Sequence, residues 1–495
     1  MGWTERVKQM IRSWLELQPA PGQSIVIREP VSHETQVLRN RLWYRGDASE
    51  LDQLFKALAQ DAVGCARFWA AAPGGESLRK AHSGLPGVMV DTLAGVVAAD
   101  LAELDFAGDA QAAERWAGIA GENNWPALVS QAVADTLVAG DGAFKIGFDT
   151  SLSGLPILEY WDGGRVEFET RRGRVASVRF LTRVGERGRI LEEIYAPGRV
   201  DYRLLEGDKE LPLDAEPDCA GLVPVSFEGG GMLAVPLRFW PSARWPGRGR
   251  GIFDNKTDAF DAHDEVISQW MDALRAGRVQ RYIPENMIPR SAEDGRLLLP
   301  SRFGSDFVQL ASSSRENGSE TIDTVQPEIR YEAFLASYTA TLDLCLQGIM
   351  SPATLGIDLG KMSSAEAQRE KKDVTGMTRN AITAALEAAL PKLACAALAA
   401  QDILEGRQPG RYEPTVSFGE YGAPDFDSRV RTLAEAASGG IMSIEAQVDE
   451  LWGSSREDAW KAAEVQRIRR ERGIETLAQP AVGTGIAGAP SMGLV

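Results

Sequence analysis

Hydrophobic residues recur at helical spacing along the first third of the chain. Two sets of positions each define one face of a helix: Trp3, Val7, Met10 and Ile11, and then Leu51, Leu54, Phe55 and Leu58. The pattern changes after an apolar run to Val138, because the turn pair Asp141-Gly142 precedes a strand-like segment to Phe148. We therefore predict a mainly helical region over residues 1–148 that ends in helix, turn and strand.

Short β-rich runs replace the helical pattern from residue 155 to about residue 240. Three of them lie at 165–169, 175–180 and 192–195. Glycine and proline separate the runs closely, as at Gly163-Gly164 and Pro197-Gly198. This spacing predicts a small antiparallel β region.

Two amphipathic helices with a strand-rich insert between them are predicted next. The first covers residues 251–277, and Gly277 suits its C-terminus. The second covers residues 327–350 and is ended by Ser351-Pro352. The insert contains three short β-rich runs: 279–283, 296–299 and 306–311.

The last part of the chain is again helical in pattern. Ser363 and Glu366 have the spacing of a capping box, which predicts the start of a third long helix. We expect Gly376 and Pro391 to bend or interrupt that helix. The remaining predictions are a strand at 415–418, two or three short helices up to residue 473, and a disordered Gly-, Ala- and Pro-rich tail at 474–495.

The first amphipathic helix separates acidic from apolar residues. At about 100° per residue, its acids fall within a wedge of roughly 60°: Asp254, Asp258, Asp261, Glu265 and Asp272. Opposite them lies an apolar set, predicted to pack against neighbouring elements, that repeats every seven residues: Phe253, Phe260, Ile267 and Leu274. Two interpretations stay open, an ordinary solvated helix face and the acidic lining of a tube built from repeated subunits.

The net charge and the cysteine content argue against some classes of protein and some kinds of site. The 495-residue chain carries a net charge of −17, which argues against broad phosphate neutralisation but not against surrounding DNA without gripping it. An acidic surface that only improves solubility explains the charge equally well. Four dispersed cysteines predict reduced thiols, not a zinc site or disulfides. With no signal peptide and no run of eighteen apolar residues, we expect cytoplasmic synthesis and no membrane span.

No motif indicates an enzyme, a cofactor or a metal site. The segment from Gly356 to Lys361 is one residue too short for a Walker A loop and has Met362 where the metal-binding hydroxyl belongs. His82 beside Ser83 could pair a base with a nucleophile, but a structural histidine is the commoner explanation. The three histidines lack metal-ligand spacing. We therefore predict no catalytic residues, no metal and no cofactor.

Several stretches in order along the chain resemble the portal (connector) proteins of long-tailed double-stranded-DNA bacteriophages. They are 39–46, 82–86, 140–145, 253–277, 282–286, 347–356, 366–370 and 440–445. None of them is a catalytic signature, and the match rests on their number and order along nearly the whole chain.

The resemblance implies an α+β, mainly helical portal fold that assembles as a cyclic ring, usually of twelve subunits. The implied regions are a wing (1–250, with its β part from about 155), two stem helices (251–277 and 327–350), a clip (278–326), a tunnel loop (351–364), a long helix with a returning wing strand (365–425), crown helices (426–473) and a tail (474–495). The channel-lining acids would then belong to the first stem helix.

The resemblance also implies the role and the partners. The ring would sit at one capsid vertex of the virion after assembly in the host bacterial cytoplasm, and double-stranded DNA would pass through it in packaging, retention and ejection. Its partners would be the terminase large subunit, the major capsid and scaffold proteins and a head–tail adaptor. In the tunnel loop, Gly356 and Gly360 would flank Lys361, which either touches the DNA backbone or is only a solvated loop residue. Two alternatives are another ring of the virion, such as an adaptor or tail component, and a soluble enzyme.

Overall fold

The computed structural model describes most of the chain in two compact units that divide after Gly419. The described residues are 32–58, 67–71, 78–227, 231–278, 280–284, 295, 306–310, 323–357, 365–419, 426–453 and 456–473. Helices and sheets occur together, so the α+β class predicted from the sequence is confirmed.

The first unit begins with helices that share one hydrophobic core. They are α1 (His33–Arg45), α2 (Ala48–Leu58), α3 (Leu85–Ala99), α4 (Ala110–Glu122) and α5 (Trp125–Ala139). Ser32 caps α1, because its hydroxyl accepts a hydrogen bond from the Thr35 amide at 3.2 Å. Asp109 caps α4 in the same way through the Ala112 amide at 3.0 Å. Met89 of α3 and Leu137 of α5 have no exposed surface, so these two helices form the centre of the core.

Two sheets follow in the predicted antiparallel β region. In the first, β1 (Asp141–Gly147) pairs on either side with β2 (Ile157–Asp162) and β9 (Ala234–Arg238), both antiparallel. The second is inserted between β2 and β9. Its strands are β3 (Val166–Arg171), β4 (Arg174–Val184), β5 (Arg189–Ala196), β6 (Arg199–Glu206), β7 (Lys209–Leu211) and β8 (Val225–Ser226). All pairings in this second sheet are antiparallel, which confirms that prediction.

Helix α6 (Thr257–Ala276) begins six residues later than predicted. The chain just before it runs against α5, where the Ile252 amide donates to the Leu137 carbonyl at 2.8 Å. A methyl group on Gly251 would lie 2.7 Å from the Val138 carbonyl oxygen, so glycine at this position permits the close approach. The predicted end is correct, since the Gly277 amide caps the helix by donating to the Ala273 carbonyl.

Helix α7 (Tyr331–Leu346) is shorter than predicted at both ends. It stops because Gln347 is extended and Gly348 has a φ of 75°. A short 3₁₀ turn, Pro352–Leu355, follows. Between α6 and α7 lie β10 (Gln280–Pro284), β11 (Asp306–Leu310) and β12 (Asp323–Val325), with β11 parallel and β12 antiparallel to β10. The run predicted at 296–299 lies outside the described residues.

Of the two outcomes predicted for Gly376 and Pro391, a bend or an interruption, the interruption is wrong, because helix α8 (Ala365–Leu404) continues through both residues. Core packing explains the continuity, because Leu390 and Leu393 on either side of the proline are fully buried. By length and composition alone, the part of α8 from Val374 to Leu404 could cross a membrane. Half of its apolar window is buried inside the fold, as in the core helix of a globular domain.

The predicted strand at 415–418 is reduced to two isolated bridges, Asp105 with Thr415 and Leu101 with Phe418. The second unit contains α9 (Phe426–Ser438), α10 (Ile444–Trp452) and α11 (Asp458–Glu471). Its last two helices pack through the edge-on rings of Trp452 and Trp460, whose centroids are 5.4 Å apart. The tail predicted at 474–495 lies outside the described residues.

Candidate functional site

Helices α6 and α7 form an antiparallel pair. At one end of the pair, Lys256 Nζ donates a hydrogen bond to the Leu344 carbonyl at 2.8 Å. At the other end, Gly277 lies beside Ile329. A methyl group on Gly277 would lie 2.5 Å from Cδ1 of Ile329, so the glycine both ends α6 and lets the chains approach. The pair therefore has a fixed register.

Aromatic rings fill the space between the two helices. Trp270 of α6 stacks on Phe334 of α7 with an interplanar angle of 7° and a centroid distance of 6.1 Å. His263 packs on Tyr338 at 5.0 Å, and its Nδ1 lies 2.9 Å from the Thr341 hydroxyl. Burial lowers the pKa of His263, which favours a neutral imidazole between the helices.

One side of α6 is bonded to residues 68–69 and 82–83 through two buried carboxylates. Asp261 accepts hydrogen bonds from the backbone amides of Phe68 at 2.9 Å and Trp69 at 3.1 Å. Asp264 has no exposed surface and accepts from three groups: the Trp69 indole at 3.1 Å, His82 Nδ1 at 2.6 Å and the Ser83 amide at 2.9 Å. Burial raises the pKa of Asp261, and its two amide bonds oppose that rise.

The expectation that Asp254 and Asp261 belong to a free acidic face needs correction. Asp261 is only 7% exposed and is bonded to the backbone amides of Phe68 and Trp69. Asp254 precedes α6 and accepts hydrogen bonds from Asn40 Nδ2 at 2.9 Å and Gln36 Nε2 at 3.2 Å. Burial raises the pKa of Asp254 as well. Both carboxylates stabilise the chain around α6: Asp261 is buried, and Asp254 is half-buried and held by α1.

Three of the predicted acids remain on the accessible side of α6. The side chain of Asp258 is 77% exposed and pairs with Arg67 at 2.9 Å. Glu265 is half-buried and accepts from Gln269 Nε2 at 2.9 Å, while Asp272 is exposed. Residues seven apart on a helix stay within about 20° of one another per step. We name Asp258, Glu265 and Asp272 the acidic ridge.

The predicted apolar stripe of α6 divides into two parts. Phe253 and Phe260 lie in the core of the first unit, with their rings edge-on at 5.6 Å. Ile267 is half-buried, and Leu274 is 49% exposed. Other large apolar side chains on the two helices are also about half exposed or more: Met271, Tyr331, Leu335 and Leu344. The stripe therefore packs inside the chain at one end of α6 and is uncovered at the other.

Sequence reasoning missed the role of Asp264. The residue lies about 100° around the helix from the acidic ridge, and an acid on that side of an amphipathic helix was the available signal. Its partner His82 is a buried histidine whose Nε2 has no hydrogen-bond partner in the described structure. The Ser83 hydroxyl accepts from the Leu85 amide at 3.3 Å, at the start of α3. This geometry supports the structural interpretation of His82.

The predicted tunnel loop is described only at its start. Gly356 ends the 3₁₀ turn with a φ of 70°, and its amide donates to the Ala353 carbonyl at 3.1 Å. Gly360 and Lys361 lie outside the described residues. Across the ranges that the structure describes, no three His, Cys, Asp or Glu side chains are grouped so that they could hold a metal ion.

Comparisons with known proteins find likeness only among solved structures. No protein-family model and no curated protein matches the chain. The neck of a native gene transfer agent particle computed with C12 symmetry has 14% identity and a TM-score of 0.40, over 74% of this chain and 89% of that chain. The virion of a native gene transfer agent particle has 12% identity and a TM-score of 0.39, over 89% and 96%. At such low values, no residue role or symmetry is transferred to this chain.

Proposed function

We propose that this chain is one subunit of a virion ring, the portal at a capsid vertex, through which double-stranded DNA passes. The observation that carries the proposal is the α6–α7 pair, which presents an acidic ridge along one side and uncovered apolar side chains near one end. The sequence resemblance to phage portal proteins supplies the specific identity.

Uncovered apolar surface supports assembly into a ring. Four large side chains lie toward the end of the pair that leads to β10–β12: Met271 (53% exposed), Leu274 (49%), Tyr331 (61%) and Leu335 (51%). Exposed apolar surface on paired helices is typical of an interaction site. Head-to-tail packing of identical copies around an axis would cover it and close a ring, for which we propose twelve subunits.

The acidic ridge suits a channel through which DNA must move without being bound. Each lysine or arginine that contacts a phosphate strengthens DNA binding, so a basic lining would retain the DNA. Carboxylates repel the polyanion and leave it mobile. In the ring, Asp258, Glu265 and Asp272 of every copy would line the lumen, and Lys361 would give one cation per subunit near the constriction.

The resemblance to portal proteins implies the partners, and the order of the elements indicates where each would dock. Strands β10–β12 continue the chain beyond α6 and precede α7, at the end of the helix pair remote from the Lys256–Leu344 contact. We assign to them the docking of the terminase large subunit and later of a head–tail adaptor, and to residues 1–250 the contacts with major capsid and scaffold proteins. The ring needs no cofactor, and a separate motor would drive packaging.

The first test is assembly of the purified full-length chain. We expect a closed ring with a central hole, observed by light scattering after size exclusion and by electron microscopy of single particles. Leu274→Glu combined with Leu335→Glu should abolish the ring. Leu152→Glu, at a site 75% exposed but remote from α6 and α7 in sequence, serves as the control and should assemble normally. A homogeneous monomer at high concentration would contradict the proposal.

The second test replaces the acidic ridge. The triple variant Asp258→Lys, Glu265→Lys and Asp272→Lys should assemble but slow DNA passage in a packaging assay, with partial recovery at high salt because salt weakens phosphate contacts. The control changes three exposed acids elsewhere by the same charge: Glu103→Lys, Asp208→Lys and Asp214→Lys. Packaging at the normal rate by the ridge variant would disprove the channel-lining assignment while leaving ring assembly untouched.

A further inference from the structure

A large apolar groove lies on the first unit, away from α6 and α7. Its volume is about 1480 Å³. Strand β9 contributes Val235 and Leu237, and α8 contributes a series of mostly small side chains: Ala385, Ala388, Ala389, Cys395, Ala396 and Ile403. Phe168 and Val175 of the second sheet line another part, and residues 408–414 lie along its margin.

The size of this groove indicates what kind of occupant fits. Protein interiors are close-packed and leave few voids larger than a water molecule. Pockets for small molecules occupy roughly 300–1,000 Å³ and carry a few convergent polar groups. The groove exceeds that range, and alanines dominate its α8 wall. A segment of secondary structure with bulky apolar side chains therefore fits better than a small ligand.

The described chain begins close to one margin of the groove. The His33 ring contacts the Trp245 ring edge-on at 5.2 Å, just after Ser32, the first described residue. Two residues beyond Trp245, Gly247 lines the groove. The 31 residues that precede Ser32 therefore join the described structure beside this margin.

The sequence before Ser32 contains a suitable segment. Between residues 3 and 17 the apolar positions fall on one helix face: Trp3, Val7, Met10, Ile11, Trp14 and Leu17. The opposite face is polar and includes Glu5, Gln9, Arg12 and Glu16. Each tryptophan can bury about 150–250 Å². Pro19 and Pro21 end the pattern.

The connection to the groove is long enough. Residues 18–31 separate this segment from the described chain, and fourteen extended residues span at most about 50 Å. A helix over residues 3–17 would be about 22 Å long. Both lengths are compatible with the segment reaching the groove of its own chain.

We propose that residues 3–17 dock as an amphipathic helix in this groove of the same chain, with Trp3, Met10 and Trp14 directed at the alanine wall of α8. The helix covers apolar surface of β9 and α8 that the described residues leave open. The N-terminal segment thereby becomes part of the wall of the first unit. This inference is independent of the proposed function.

Native Cys395 allows a direct test, because it lines the groove and its thiol hydrogen-bonds to the Tyr412 carbonyl. In the full-length protein, Met10→Cys places a thiol on the apolar face of the segment, and Arg12→Cys places one on the opposite face. A short bismaleimide added at alkaline pH should join residue 10 to Cys395 within one chain, as identified by peptide mass spectrometry. The yield from Arg12→Cys should be several-fold lower, and Cys395→Ala should remove the product.

Three outcomes would overturn the inference. The first is a product between two chains, which would assign the groove to a second copy. The second is an equal yield from the two variants. The third is the lack of any product although a monofunctional maleimide labels both thiols.

A binding measurement on a second pair of variants checks the same contact. A labelled peptide of residues 1–20 should bind saturably to a chain lacking residues 1–24 and several-fold more weakly to the full-length chain, whose own segment fills the groove. Ala388→Trp in the shortened chain should block binding, because Ala388 lines the groove. Ala384→Trp, one turn away on an exposed position outside the groove, should not. Equal binding by these two variants would contradict the assignment.

Discussion

The two halves of helix α6 carry the same residue types but use them differently. In the first half, Asp261 and Asp264 are buried and accept hydrogen bonds from residues 68–69 and 82–83. In the second half, Asp272 is exposed, and Met271 and Leu274 are about half exposed. Apart from the exposed Asp258, the acids of the first half belong to the core of the first unit, whereas the second half presents Asp272, Met271 and Leu274 to the surroundings.

The contrast follows from the cost of burying polar groups. A carboxylate removed from water must accept hydrogen bonds, or its burial costs several kcal/mol. Asp264 meets that requirement with three donors, and Asp261 meets it with two backbone amides. An exposed acid such as Asp272 keeps its hydration and remains available to something outside the chain. The buried acids Asp261 and Asp264 and the exposed acid Asp272 should therefore differ sharply in their effect on stability.

The largest effect is expected at Asp264. Asp264→Ala should lower the free energy of unfolding by about 3–5 kcal/mol, because three buried donors lose their acceptor together. Urea unfolding followed by circular dichroism measures this change. A loss within about 0.5 kcal/mol, as for a surface substitution, would mean that the bonds to Trp69, His82 and Ser83 contribute little to stability.

A smaller loss is expected at Asp261. Asp261→Asn keeps the shape but replaces one accepting oxygen by an NH₂ group, so the amide of Phe68 or Trp69 loses its acceptor. The cost should be about 1–3 kcal/mol. The matched control is Asp272→Asn on the same helix, which should stay within about 0.5 kcal/mol of the unmodified chain. Equal losses of unfolding free energy for Asp261→Asn and Asp272→Asn would contradict the distinction between the buried and the exposed acids of α6.

The smallest effect concerns the side of α6 that faces α7. Burial lowers the pKa of His263 below 6.5, so its unfolded form binds a proton first as the pH falls. The stability that neutral His263 contributes is complete above pH 6.5 and is lost as the pH drops through its folded pKa. Asp264 and His82 also act on this pKa, in opposite directions.

Denaturant unfolding between pH 7.5 and 5.5 tests this dependence, with about 0.5 kcal/mol as the resolvable difference. His263→Gln should flatten the pH dependence relative to the unmodified chain, because glutamine does not titrate in this range. If His263→Gln leaves the pH dependence of the unfolding free energy unchanged, the pKa of His263 is the same in the folded and unfolded chains.

Local signals in the sequence were sufficient for several elements. Short β-rich runs separated by closely spaced glycines and prolines predicted the antiparallel region, and Gly277 predicted the end of α6, where its amide indeed caps the helix. The predicted order was helix, strand insert, helix, Gly-rich loop and long helix, and of that loop the structure describes residues 351–357. Each of these features depends on residues that are neighbours along the chain, so the pattern of a short window contains the information.

Tertiary structure alone decided which acids are free. The wedge of five acids was visible in the sequence, but Asp261 is covered by a segment some 190 residues earlier, and Asp254 is bonded to α1. The start of α6 likewise depends on the approach of Gly251 to Val138 of α5. Pro391 stays inside α8 because the core packs on both sides of it. A helical period places side chains on a face, whereas the partner that covers this face comes from a distant part of the chain.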